Sequence, residues 1–513
     1  MNKYSCLAVL VFLSSIACAQ ISLPSIISDN MVLQADTNAP IWGKASPKSK
    51  ITIACSWNKT PVTVESDEQG KWMAAVPTPN KGKSCTINIT CGKENRTITN
   101  ILIGQVWLCS GQSNMKRMVK EANNADKELK AAKFPNIRLF TVKRKTSREP
   151  LDDCFGQWVE CNPENTADFS AVGYYFGREL YKKLGTPVGL INSSYGGTPA
   201  QGWTRKEILE KDPVLKKYIE TDANNEANKE IYLKQYAETL NKWKKYVIKA
   251  VAETKPAASK PKQPTQLRES YKCANLYNAM INPLIPFTIK GVIWYQGESN
   301  AGDFIADDAL MYRKLLPAMI TNWRSDWKQG DFPFYYVQLA AYGSTDLTVP
   351  PADSQWAVLR ESQTMALSVP NTGMAIAMDI GEANDIHPKN KQDVGKRLAL
   401  WALAKDYGKN VVYSGPLYKE MKIEGDKIRI SFEYADSGLK SKGKTLKGFA
   451  IAGNDGKFVW ANAKIDGKTV LVWSEQVKNP TNVRYGWANW MECNLYNKNN
   501  LPASPFRTDN NPQ

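Results

Sequence analysis

The stretch Gly104-Gln105-Val106-Trp107-Leu108-Cys109-Ser110-Gly111-Gln112-Ser113-Asn114-Met115 is where the chain changes character. Its first half is a short apolar run, the pattern of a strand buried on both faces. The small and amide residues that follow allow a tight turn, which would present Ser113 at the end of that strand. Further short apolar runs occupy residues 187–191, 290–295 and 334–339, with helix-like segments such as 172–184 and 312–323 between them. This alternation predicts a doubly wound α/β sheet with helices on both faces, extending over residues 104–413.

Outward from this core the pattern differs. Residues 20–103 read as β-rich, because runs such as 51–55 and 85–90 are short, β-branched and bounded by Pro, Gly, Asn and Lys. Residues 204–270 interrupt the α/β rhythm with a charged, helix-forming stretch and a Pro/Lys-rich run at 255–261, an exposed insertion rather than a domain. Residues 414–513 return to strands, with Gly425-Asp426 and Asp466-Gly467 placed as hairpin turns.

A chain of 513 residues exceeds one compact core, so two or three domains are expected. Residues 1–19 have the pattern of an export signal: Lys3, an apolar stretch over 7–16, and Ala17-Cys18-Ala19 as a small-residue cleavage site. That signal makes the expected location periplasmic or extracellular, and the remaining chain has no apolar run long enough to span a bilayer. Eight cysteines follow the signal, and Cys154 with Cys161 is a candidate local disulfide. The formal charge of +17 comes from dispersed lysines, without the basic blocks of a nucleic-acid binder. One histidine and no paired C-x-x-C spacing argue against a zinc site.

His387 is that single histidine, so any histidine-dependent chemistry must use it. It lies in Asn384-Asp385-Ile386-His387-Pro388, between a strand-like run at 374–378 and a helix-like segment at 391–404. Open α/β sheets place their sites on such loops, at the carboxyl ends of strands. Ser113 is a nucleophile candidate at the same predicted edge, although a helix N-cap is the purely structural reading of that serine. Met115 keeps the segment from being a G-x-S-x-G elbow. Two further segments close apolar runs at this edge: Ser193-Ser194-Tyr195-Gly196-Gly197-Thr198-Pro199 and Trp294-Tyr295-Gln296-Gly297-Glu298-Ser299-Asn300. Glycines there let backbone N–H groups approach an oxyanion, and side-chain amides can add a donor.

The strings GQSNM, SSYGGTP, WYQGESN and DIHPKNKQDVGKRLA, with LPSIISDNMVLQ near the start, resemble the sialate O-acetylesterase family of SGNH-type hydrolases. The resemblance implies a flavodoxin-like α/β/α domain flanked by β-rich segments, acting on O-acetylated sialic acid or another acetylated glycan without a cofactor. It implies Ser113 as nucleophile, His387 as base, and the N–H groups of Ser113 and Gly197 in the oxyanion hole. The usual G-x-N-D block reads Gln296-Gly297-Glu298-Ser299, so the third donor is assigned to Gln296, whose amide can donate, with Asn300 as the alternative; Glu298 would be a poor donor unless protonated. The imidazole is oriented by Asp385, or otherwise by Asn384 or a backbone carbonyl. Trp203, Trp487 and Trp490 are candidate sugar-stacking surfaces. Two rival readings are a glycoside hydrolase using Glu298 and Asp385, and a non-catalytic carbohydrate-binding protein.

Overall fold

The computed structural model describes residues 21–302 and 305–509. The expected export signal and its cleavage site lie outside the described residues. Seven strands build the central sheet: β1 (Glu94–Gly111), β2 (Phe134–Thr141), β3 (Trp158–Cys161), β4 (Val188–Ser194), β5 (Gly291–Tyr295), β6 (Phe334–Val337) and β7 (Thr372–Ala375). Their spatial order is β7-β6-β5-β1-β4-β2-β3. All are parallel to their neighbours except β3, which closes the edge antiparallel to β2. The set β4-β1-β5-β6-β7 reproduces the flavodoxin-like order 2-1-3-4-5, with β2 and β3 added outside β4. The chain leaves β1 first to one side and later to the other, so a switch-point crevice forms where β1 ends.

Alternate strand residues face opposite layers, which is why these strands are apolar throughout. Phe334 meets Trp323 of the helix Asp308–Trp327, while its neighbour Tyr335 packs toward Trp401 of the helix Lys391–Lys405 on the other face. The helix Ala171–Leu184 shares that second face, where Phe176 meets Trp107 edge-on at 4.9 Å.

β1 is longer than the sequence suggests. Its first part pairs antiparallel with the strand Gly82–Cys91, and its last part lies between β4 and β5. The expected boundary at 103/104 therefore falls inside one continuous strand, and the N-terminal β-rich region shares a hydrophobic core with the α/β sheet. In the insertion, the helices Lys206–Lys211 and Lys216–Ala227 are followed by a longer one, Lys229–Ala252, of which only Ala250 is buried. The C-terminal strands enclose a second core around Ile428, Ile451, Val483 and Phe506. Arg360 fastens this region to the sheet by donating to the carbonyls of Leu339, Ala340, Ala488 and Asn489.

The expected disulfide is not formed. Cys154 and Cys161 are both buried and free, because Cys161 is held in β3 opposite Phe134 with its Sγ 3.3 Å from the Thr166 hydroxyl. No described helix is long and apolar enough to cross a membrane.

Candidate active site

β1 ends at Gly111, whose φ of +137° favours glycine; a Cβ there would lie 2.2 Å from the Tyr295 carbonyl oxygen. The chain turns sharply, and Ser113 opens a four-residue helix, Ser113–Lys116. Gln112 stabilises the turn from beneath: its Oε1 accepts from the backbone N–H groups of Gly297 and Ser299, at 3.5 and 3.2 Å. Three sheet-edge loops are thus tied together, since Tyr195 N–H also donates to the Gly111 carbonyl at 3.0 Å.

His387 lies on the loop that follows β7. Asp385 Oδ1 accepts from the His387 backbone N–H at 2.9 Å and stands 3.5 Å from Nδ1, beyond ordinary hydrogen-bond length. Burial, together with the Arg117 charge, lowers the His387 pKa below its usual 6.5, and Asp385 opposes the shift. The imidazole is therefore neutral at pH 7, as a general base must be.

Asn114 joins the serine turn to this loop. Its amide donates to the Ile386 carbonyl at 2.9 Å and to Glu298 Oε1, while its own oxygen accepts from Lys391 Nζ. Lys391 is buried with its ammonium 5.2 Å from the Tyr295 ring centre, and burial pushes its pKa down to about 7. Asn114 and Lys391 went unnoticed in the sequence. Only the GQSNM and HPKNK settings mark them, and neither residue type signals a role by itself.

Gly197 follows β4 with φ +70°, and no atom lies within 4 Å of the position a Cβ would take, so the loop leaves open space. A Cβ on Gly196 would lie 3.4 Å from the Ser113 Cβ, which puts this loop against the serine. Gln296 does not reach the site. Its Nε2 donates to Asn300 Oδ1 and the Thr198 carbonyl, and its Oε1 accepts from Tyr312, so the preferred third donor is spent inside the core. Asn300 is likewise consumed by Gln201, Asp308 and the Ala200 N–H.

Ser113, Gly197, Glu298 and His387 line one cleft of about 830 Å³. Its far wall comes from residues 262–263 and 267–271, the descent from the helical insertion, and includes Lys262 and Arg268. Nothing in the sequence of these residues announces that position. The candidate stacking tryptophans are elsewhere: Trp203 is wholly buried edge-on to Trp294, Trp487 is buried beside Arg484 and Arg507, and Trp490 packs on the core. Apolar packing covers Trp203, and two guanidinium groups lie over the ring of Trp487. Glu298 and Asp385 do not form a carboxylate pair facing the cleft, because Asp385 is occupied by the His387 backbone and is absent from the lining. No group of three or more His, Cys, Asp or Glu among the described residues is arranged to hold a metal ion.

The family model for carbohydrate esterases of the sialic acid-specific acetylesterase type matches residues 103–251 and 260–404. Curated relatives include the sialate O-acetylesterase of Mus musculus, 32% identical over 94% of this chain and 93% of that protein. The Homo sapiens sialate O-acetylesterase is 30% identical over 94% and 91%. Among solved structures, a carbohydrate acetylesterase from Xanthomonas citri superposes with a TM-score of 0.80 at 34% identity, covering 96% of this chain and all of that one. With this match spanning the sheet and the loops at its carboxyl edge, the chain belongs to the sialic acid-specific carbohydrate acetylesterase family.

Proposed function

We propose that this esterase is exported and cleaves acetyl esters of sialic acids through a Ser113–His387 acyl-enzyme mechanism. The supporting observation is the convergence of Ser113, Gly197 and the only histidine of the chain on one cleft at the switch-point edge. His387 takes the Ser113 proton as Oγ attacks the acetyl carbonyl, and the resulting oxyanion is met by the N–H groups of Ser113 and Gly197. Protonated His387 then gives its proton to the departing sugar oxygen, leaving acetyl-serine. Water, deprotonated by the same imidazole, attacks this ester; the proton returns to Oγ and acetate leaves. A preorganised donor of this kind is worth about 3 kcal/mol in the transition state.

Lys262 and Arg268 in the cleft wall favour an anionic sugar over a neutral polysaccharide. The signal-like pattern in residues 1–19 supports export. The test is acetate release from O-acetylated sialosides, acetylxylan and acetylated pectin by the wild-type protein and Ser113→Ala. The proposal predicts turnover of the sialosides that vanishes in the variant. Retained hydrolysis in Ser113→Ala would remove the serine from the mechanism, and a preference for xylan or pectin would move the substrate to plant polysaccharide.

A further inference from the structure

Two backbone N–H groups leave the oxyanion hole one donor short of the set the resemblance implies, and two of the three side chains at hand are spent. Gln296 and Asn300 have turned their amides into the core. Glu298 has not. It lies on the same loop, is 7% exposed, lines the cleft with Ser113 and Gly197, and has one oxygen, Oε1, fixed by the Asn114 amide. Its other oxygen, Oε2, is buried and has no hydrogen-bond partner. An unpartnered buried oxygen is costly unless a bound molecule satisfies it. At the rim of an esterase cleft the molecule available is the substrate.

We propose that Glu298 is the remaining oxyanion donor, acting as a neutral carboxylic acid whose Oε2–H bonds to the acetyl oxygen as it becomes negative. An ionised carboxylate in that place would repel the oxyanion, whereas the acid donates as an amide would. The surroundings favour the acid. Burial raises the Glu298 pKa, and the Asn114 bond, the backbone N–H of Glu298 itself and the Lys391 charge oppose the rise without being the dominant influence. The titratable groups facing it are Lys391 from the helix Lys391–Lys405, Tyr295 at the end of β5 and Tyr312 from the helix Asp308–Trp327. Neither tyrosine carries charge at neutral pH, because burial raises both. Lys391 is bridged to Glu298 through Asn114 and loses its own charge near pH 7, so above that pH no cation adjoins the carboxyl. The opposite wall carries Lys262, Arg268 and Glu269; of these Arg268 is engaged by the Gln263 carbonyl and Glu269 by Arg148.

This inference rests on the Ser113 reading, and the experiment separates the two. Rates of p-nitrophenyl acetate hydrolysis against pH are compared for the wild type, Glu298→Gln, Glu298→Ala and Ser113→Ala. Glu298→Ala should lower kcat about 10²- to 10³-fold, the loss seen when an oxyanion donor is removed. Glu298→Gln keeps the shape and a donor, so it should recover at least ten-fold over Glu298→Ala. It should also lack the alkaline limb that ionisation of Glu298 gives the wild type. A glutamine variant as slow as the alanine one, or one that keeps the wild-type alkaline limb, overturns the proposal, as does an alanine variant with wild-type kcat. If Glu298→Ala fails to fold, the pH profile of the isosteric glutamine variant decides alone. Activity surviving in Ser113→Ala would instead overturn the nucleophile assignment, whatever the Glu298 variants do.

Discussion

The side-chain amide of Asn114 donates to the carbonyl of Ile386 at 2.9 Å, so the residue after the serine grips the residue before the histidine. The two halves of the proposed catalytic pair are thereby held by one half-buried hydrogen bond, reinforced from below by Lys391 and Glu298. Asn114→Ala leaves these polar groups unpaired, at about 1–3 kcal/mol for each unsatisfied group. We expect kcat to fall about 10- to 100-fold with little change in KM, because alignment rather than substrate contact is lost. Steady-state kinetics, with a fluorophosphonate label to count reactive Ser113, measures this directly.

The acidic limb of the pH–rate profile should report His387. Burial sets its pKa below 6.5, so activity should persist through pH 6.5 and decline only at lower pH, as the imidazole gains its proton. Asp385 raises that pKa, so Asp385→Asn should move the limb to still lower pH. The carboxylate stands 3.5 Å from Nδ1, a looser contact than a triad acid makes, and the accompanying fall in kcat should be about 10- to 100-fold. An acidic limb that moves upward in Asp385→Asn would contradict this electrostatic assignment.

Arg268 should contribute to substrate choice. It lies in the cleft wall with its guanidinium over the Tyr271 ring and its Nε bonded to the Gln263 carbonyl, so it is held in place. Arg268→Ala should raise KM several-fold for an O-acetylated sialoside and less for acetylxylan, and the sialoside effect should shrink in high salt. Equal effects on both substrates would assign the residue to the shape of the wall rather than to its charge.

Asp379 anchors the start of the loop that carries the histidine. It takes a two-pronged ion pair from Arg397 at 2.7 and 2.8 Å and a hydrogen bond from Tyr496 at 3.0 Å, joining the sheet to the C-terminal region. Both charged side chains are nearly inaccessible. Asp379→Ala leaves a buried guanidinium without its carboxylate and should destabilise the protein by about 3–5 kcal/mol, seen as a lower denaturation midpoint.

Several particulars were legible from the chain alone. The apolar run before Gly111, the glycine turns after 191 and 295, and the solitary histidine before a helix are local features. Local features are what hydrophobic period and turn chemistry encode. Because parallel strands must end at a common edge, the residues following those runs had to gather there, and Ser113, Gly197 and His387 do so.

Where the sequence could not decide, residues of similar chemistry competed for partners set by packing. Gln296 offers the better donor on paper, but Asn300, Thr198 and Tyr312 absorb its amide, and Glu298 is left with a buried oxygen that has no partner. Trp203 and Trp487 could have been sugar platforms, but the core buries the first and Arg484 and Arg507 lie over the second. Cys154 and Cys161 are close in sequence, yet the strand that holds Cys161 leaves them unbonded. Sequence fixes which chemical groups the chain owns and the periodicity that brings strands to one edge. Which groups remain free to meet a substrate is decided only when long-range neighbours, such as Asn114 and Ile386, have claimed their hydrogen bonds.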